Sequence, residues 1–277
     1  MKKIVILTGS DLRHDFFRIF LSNQDGIEVI RSYAESKDGD LDSYVESRQE
    51  QNELRKTHLL ARNQSEEDFF GIYLEHAVDY SNPQMIARNS INSEEYVDSI
   101  GEIGPDLIVS YGCSIVKSEL LDQYKDRFIN VHLGLSPYYR GGGTNFWPFV
   151  NGELQYLGVT FMHINRGVDT GEVIHQIRPE IFPMDNIHSI GNRLIIKAAR
   201  SMGELVRNFD RLFRPEQIRI EKNKAKYYKK ADFTESALEL AYKNLNNGLV
   251  GNYLHKKDEL DGSVPITVND VFSFRDK

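Results

Sequence analysis

The sequence predicts an α/β protein built on a mainly parallel, doubly wound sheet, and three observations carry that prediction. Residues 3–7 (KIVIL) form an almost wholly apolar run, as expected of a strand covered on both faces. Further apolar runs at 27–30, 107–110, 128–131, 157–164 and 172–181 alternate with helical stretches. Such alternation calls for right-handed βαβ crossovers. Finally, Asp185 or Asn186 opens a long amphipathic helix running to about Phe213, with Ile190, Leu194, Ile195, Ala198, Met202, Leu205 and Phe209 at core spacing.

Taken in order, the first run ends at Thr8-Gly9-Ser10-Asp11, where Ser10 or Asp11 caps a helix marked by Phe16, Phe17, Ile19, Phe20 and Leu21. A glycine turn at a helix N-terminus can hold a phosphate. The plainer reading, a strand-to-helix turn with its cap, is favoured on the residues alone. Residues 35–68 are polar, charged and helical from Leu41 onward. Asp38, Asp40 and Asp42 imitate a calcium loop, but Ser43 stands where Gly is required and Gln49 where a bidentate Glu is. A solvated helical insertion, bordering a substrate pocket or a subunit contact, is the better reading. Residues 69–78 are apolar at helical spacing. A loop at 89–92 precedes a helix at 93–103, and Pro105-Asp106 introduces the next strand. Beyond Pro215 the chain turns basic and tyrosine-rich (KNKAKYYKKADF) before a helix near 234–247. This tail reads as a solvated extension or dimer arm rather than a nucleic-acid grip.

A chain of 277 residues can bury one substantial core, and 40% hydrophobic with 27% charged residues is ordinary for a globular protein. Met1-Lys2-Lys3 leads into a strand, no apolar run approaches a membrane span, and the single cysteine excludes an intrachain disulfide framework. The expectation is a cytoplasmic protein with no membrane partner. A net charge of −7 offers no general attraction for a polyphosphate backbone, so no nucleic-acid partner is expected.

The chemistry concentrates in residues 128–171. A short strand delivers Asn130 and His132 onto one side, because alternate strand residues share a face. A loop with Ser136-Pro137 and three consecutive glycines, Gly141 to Gly143, follows. The next strand ends in the turn Arg166-Gly167-Val168-Asp169-Thr170-Gly171. An amide, an imidazole and a carboxylate thus arise at the ends of two strands that could lie side by side, where open α/β sheets bind ligands. Taken singly, Asn-x-His is usually structural and Asp-Thr-Gly usually a turn. His163 and His175 lack ligand-spaced partners and read as strand packing. Ser136 lacks a nucleophile-elbow context, and His14, His76 and His188 carry no motif.

In combination and in this order, Asn130-Val131-His132, Leu135-Ser136-Pro137, Arg140-Gly141 and Asp169-Thr170-Gly171 resemble the signature of the folate-dependent formyltransferases. These include glycinamide ribonucleotide, methionyl-tRNA and sugar N-formyltransferases. The double leucine usual between Ser and Pro is missing, so the loop is a divergent version. The resemblance covers roughly the first 205 residues. It implies a Rossmann-like formyltransferase fold over 1–205, with a short C-terminal helical extension at 206–277.

The resemblance further implies Asn130, His132 and Asp169 as catalytic residues. It places N10-formyltetrahydrofolate, as cosubstrate without a metal, against Cys113, Ser114, Ile115, Val168 and Asp169. Gly9, Ser10, Arg13, Tyr138, Tyr139, Arg140 and Gly141 become candidates for the acceptor. Among the loop aromatics, Tyr138 and Tyr139 have a better claim to the pocket than Phe146 and Trp147, which read as core. Asn130 can donate to a developing oxyanion, His132 can do so when protonated or move protons itself, and Asp169 can orient the ring.

The implied activity is transfer of a formyl group to a small-molecule amine, foremost a nucleotide-linked amino sugar. Glycinamide ribonucleotide, hydroxyornithine, hydrolysis of the formyl donor and a non-catalytic sensor are the alternatives. The tail is too short for the barrel domain of the tRNA enzyme, which argues against tRNA. Hydrolases of the donor carry an N-terminal regulatory domain, whereas here the first strand begins at Lys3. A homodimer is left open.

Overall fold

Strand β1 (Lys2–Thr8) lies inside a seven-stranded sheet ordered β3-β2-β1-β4-β5-β7-β8. The computed structural model describes residues 1–37, 53–221 and 224–272. The aspartates of the rejected calcium loop, Asp38, Asp40 and Asp42, lie outside them. Strands β2 (Ile27–Glu35), β3 (Pro83–Ile86), β4 (Leu107–Tyr111) and β5 (Phe128–His132) join β1 in parallel. β6 (Tyr139–Gly141) stands apart from this sheet, whereas β7 (Val159–His163) is antiparallel to β5 and β8 (Val173–Ile177) antiparallel to β7.

Alternation along β1 explains why both faces are covered. Ile4 and Ile6 belong to one buried cluster and Val5 and Leu7 to another. The first face takes helices α1 (Leu12–Ser22) and α2 (Glu53–His76) and, from the far end of the chain, the 187–207 helix. The second face takes α3 (Glu94–Ile103) and α4 (Ser118–Gln123). The sheet is therefore doubly wound, as the sequence predicts. Ser93 stands at the N-cap position of α3, with Glu94 and Glu95 in the first turn.

Helix α5 (Trp147–Asn151) follows the glycine loop. Helix α6 (Ile187–Arg207) is capped by Asn186, whose side chain accepts from the His188 and Ser189 amides at 2.9 and 3.0 Å. The helix ends at Arg207, short of the Phe213 that its apolar spacing suggests; a 3-10 turn takes in Phe209.

The described C-terminal residues are not a solvated extension, because they pack on the body. Strand β9 (Lys226–Tyr228) pairs in parallel with β6 as a separate two-stranded sheet. Helices α7 (Glu235–Asn246), α8 (Leu249–His255) and α9 (Lys257–Gly262) follow. Phe233, Leu238, Ala241, Val250 and Tyr253 bury against Trp147, Phe149 and Leu154 in a third cluster. Thr267 exchanges two hydrogen bonds with Gln176 of β8, at 2.7 and 2.9 Å. Apolar residues at helical spacing needed a partner, and the segment after β5 supplies it.

Candidate active site

The parallel strands β1 and β4 are neighbours whose chains leave in opposite directions, to β2 and to β5. Ligands bind at such a switch point, beyond the carboxyl ends of the strands. A cavity of about 570 Å³ opens there.

Asn130 and His132 reach the cavity from the end of β5. The register sets Ser110 beside Asn130, and the Ser110 hydroxyl donates to Asn130 Oδ1 at 2.9 Å. That bond leaves the Nδ2 amide as the group's donor. His132 is buried, and both ring nitrogens face acceptors: Nδ1 lies 3.2 Å from Asp169 Oδ1, and Nε2 lies 3.0 Å from the Tyr139 carbonyl. Asp169 Oδ2 accepts from the Gly141 amide at 2.8 Å.

Asp169 arrives by an unexpected route. Because β7 is antiparallel to β5, its last residue, His163, pairs with Ile129 near the start of β5. The turn after β7 has to return to the other end of β5 to reach His132. Gly171 permits this: a Cβ there would lie 1.6 Å from the His163 carbonyl.

The 112–116 loop lines the cavity beside the pair. It is held from below by Glu35, the buried last residue of β2. Glu35 accepts from the Ser114 amide at 2.7 Å, from the Ser114 hydroxyl, and from the Asn89 amide at 3.0 Å. The Ser114 N–H is thus engaged within the protein, and Ser114 meets the cavity without that donor. Ile115 and Val168, both exposed apolar side chains, line the cavity, and Asn92 holds the Ile115 carbonyl at 3.0 Å. Desolvation pushes the Cys113 thiol up to about 12, with the Glu35 charge adding to it, so the sulfur is a neutral thiol.

On the other side, Gly9 and Ser10 line the cavity as expected. Arg13 does too, but it is not a free anion donor: its guanidinium pairs with Glu66 of α2 and with Asp11. Burial opposes the Arg13 charge, and these two carboxylates more than offset it. Burial likewise opposes the Asp11 charge, yet Arg13, followed by His14 and Lys37, holds its carboxyl down at about 2.

Of the loop aromatics, Phe146 and Trp147 are buried in the third cluster, as expected of core residues, and the correction falls on the tyrosines. Tyr138 and Tyr139 are buried in the third cluster, away from the cavity wall, because β6 pairs with β9 and carries them under it. Their hydroxyls donate to the Pro265 carbonyl and to Glu153 at 3.0 and 2.6 Å. Arg140 is half-buried and also off the wall. Gly141 remains on the wall, where Phe146 and Trp147 join it.

Several wall residues escaped the sequence reading. Ser110 and Glu35 are polar positions at the ends of apolar strands, a legible signal. His58 on α2, His188 on α6, and Lys229, Lys230 and Phe233 after β9 come from elements far apart in sequence and carry no motif. The α2 insertion borders the cavity, as anticipated.

A family model described as Formyl transferase matches residues 4–205. Methionyl-tRNA formyltransferase of Desulforamulus reducens is 34% identical over 132 residues, which is 47% of this chain and 41% of that protein. The chain spans about two fifths of the length of the curated relatives it matches. Among solved structures, a sugar N-formyltransferase from Shewanella sp FDAARGOS_354 superposes with a TM-score of 0.53 at 18% identity, covering 88% of this chain and 87% of that one. Phosphoribosylglycinamide formyltransferase from Streptococcus pneumoniae TIGR4 gives a TM-score of 0.50 at 22% identity, covering 76% and 99%. These likenesses speak for the shared fold. The family match, which takes in the sheet from Ile4 and most of α6, shows that the chain belongs to the formyl transferase family.

Proposed function

We propose that the protein transfers a formyl group from N10-formyltetrahydrofolate to the amino group of a small molecule, foremost a nucleotide-linked amino sugar for cell-surface polysaccharide. The observation that carries the reading is the convergence of Asn130, His132 and Asp169 on one cavity wall, with Ser110 orienting the amide. In the proposed step the acceptor nitrogen attacks the formyl carbon and a tetrahedral oxyanion forms. The bond to N10 then breaks as the amine's proton passes to N10. Asn130 Nδ2 donates to the oxyanion. His132 shares its Nε2 hydrogen bond between the Tyr139 carbonyl and the reacting group, and Asp169 orients the ring and relays the amine's proton through water to N10.

The folate is assigned to the 112–116 loop, with Ile115 and Val168 as apolar surface for the flat pterin. For the acceptor, Gly9 and Ser10 remain on the wall, and Lys229 and Lys230 place cations at the cavity of an otherwise acidic chain. Phe146 and Trp147 add apolar wall beside them.

The deciding experiment follows consumption of the formyl donor with and without a panel of amines. The panel holds nucleotide-linked 3-amino and 4-amino sugars, glycinamide ribonucleotide, hydroxyornithine and, given the names of the curated relatives, methionyl-tRNA. Turnover on a sugar nucleotide is expected. Activity on another amine alone would overturn the acceptor and spare the chemistry, whereas consumption without any amine would mark a hydrolase. Calorimetry showing no binding of a reduced folate at high concentration would overturn the reading altogether.

A further inference from the structure

Beyond their contact with each other, His132 and Asp169 are both held by the same three-residue strand. The Tyr139 carbonyl, at the start of β6, lies 3.0 Å from His132 Nε2, and the Gly141 amide, at its end, donates to Asp169 Oδ2 at 2.8 Å. Among the described residues β6 pairs with β9 alone. A pair this short does not hold itself in water. Side chains must therefore fasten it.

Those side chains are visible. The Tyr228 ring of β9 stacks on Trp147 with centroids 4.1 Å apart and on Tyr139 at 6.1 Å. Asn151 donates to the Tyr139 and Tyr228 hydroxyls at 2.8 and 2.9 Å. At the start of β9, the Lys226 ammonium pairs with the Glu153 carboxylate and reaches the Tyr139 hydroxyl at 3.2 Å, while that hydroxyl donates to Glu153 at 2.6 Å. Tyr139 is thus gripped by its ring and hydroxyl from β9 while its own carbonyl grips His132. The fit is close: Gly141 has φ +93°, and a Cβ there would sit 2.0 Å from the Tyr228 carbonyl.

We propose that β9 is a positioning element for the His132–Asp169 pair and that Lys226 is its principal positioning residue. β9 lies beyond the 4–205 region matched by the family model. The inference rests on the reading of His132 and Asp169 as catalytic. Lys226 touches no reacting atom; it acts through Tyr139. Displacing β6 changes where the His132 imidazole points, and small misplacements of a reacting group cost rate rather than affinity.

The test compares Lys226→Met, which keeps the apolar stem, with Lys226→Arg, which restores a cation. Lys226→Met is expected to lower kcat by about 10-fold to 10²-fold while KM for the formyl donor stays within about twofold, and Lys226→Arg to recover most of the loss. Glu153→Gln, which removes the partner charge, should fall in the same direction. The ¹⁵N resonances of the His132 imidazole, recorded without substrates, should shift in Lys226→Met and return in Lys226→Arg. A folded Lys226→Met protein with wild-type kcat, an equal loss in both Lys226 variants, or unchanged imidazole resonances would overturn the proposal. Should the wild-type protein transfer no formyl group, the functional reading fails while the resonances still test the brace.

Discussion

Asn130 is the residue on which the proposed chemistry depends most directly, because its orientation is set by one neighbour. The Ser110 hydroxyl occupies Oδ1, so Nδ2 is available to an oxyanion. Removing such a donor costs about 10²–10³ in kcat, which is the loss expected of Asn130→Ala. Ser110→Ala should leave the amide free to rotate and produce a smaller loss in kcat with little change in KM. Steady-state kinetics on the two variants checks the order, and equal activity of Asn130→Ala and wild type would remove the assignment. Asp169 differs in kind, since one carboxylate serves His132 through Oδ1 and Gly141 through Oδ2. Asp169→Asn turns an N–H toward one of two donors, His132 Nδ1–H or the Gly141 amide, each of which needs an oxygen. It should therefore disturb the loop as well as the ring, with a kcat loss of orders of magnitude.

At the scale of elements, the β7–β8 turn shows why a motif can be legible while its route is not. Asp169-Thr170-Gly171 is recognisable as a turn, yet only the antiparallel pairing of β5 and β7 reveals that the turn must double back. Gly171→Ala should shift the His163 carbonyl contact and carry Asp169 with it, lowering activity by more than any loss of folding midpoint would explain. Helix α6 offers a cleaner stability test. Asn186→Ala removes a cap that satisfies two amides and should cost about 1 kcal/mol in denaturant unfolding, with kcat unchanged. Strands and long helices were legible because apolar period and caps are local signals. The burial of Tyr138 and Tyr139 in the same cluster as Phe146 and Trp147 was not, because the distant β9 that pairs with β6 is no local signal. For the same reason the tail read as solvated: its charges are local, whereas its partners, Trp147 and Gln176, are some 80 to 90 residues away in sequence.

For the molecule as a whole, the histidines predict an acid-sensitive join between the C-terminal residues and the body. His58 Nδ1 lies 2.9 Å from the Tyr242 hydroxyl, and His175 Nδ1 accepts from the Asn269 amide at 3.2 Å while its ring stacks on Phe272. Both contacts link the body to residues beyond 206. Desolvation lowers both groups to about 3, with His188 and Arg62 adding to it for His58 and Lys197 for His175. Buried His14 and half-buried His188 are lowered likewise, to about 3 and 4, chiefly by desolvation. The sign follows from linkage. Between these values and the unfolded pKa of about 6.5 the unfolded chain binds more protons than the folded one. Stability is therefore fully present above that pKa and falls as pH drops below it, by at most about 1.4 kcal/mol per pH unit for each group. The denaturant midpoint should be lower at pH 5 than at pH 7, before most carboxylates titrate. Hydrogen exchange should show protection lost first in α7 and around Asn269, with β1 and β4 retaining theirs. A His58→Gln, His175→Gln double variant keeps side-chain acceptors that do not titrate in this range, so its midpoint should change less between the two pH values. An unchanged midpoint in the wild-type protein, or an equal fall in the double variant, would show that these buried imidazoles do not govern the join.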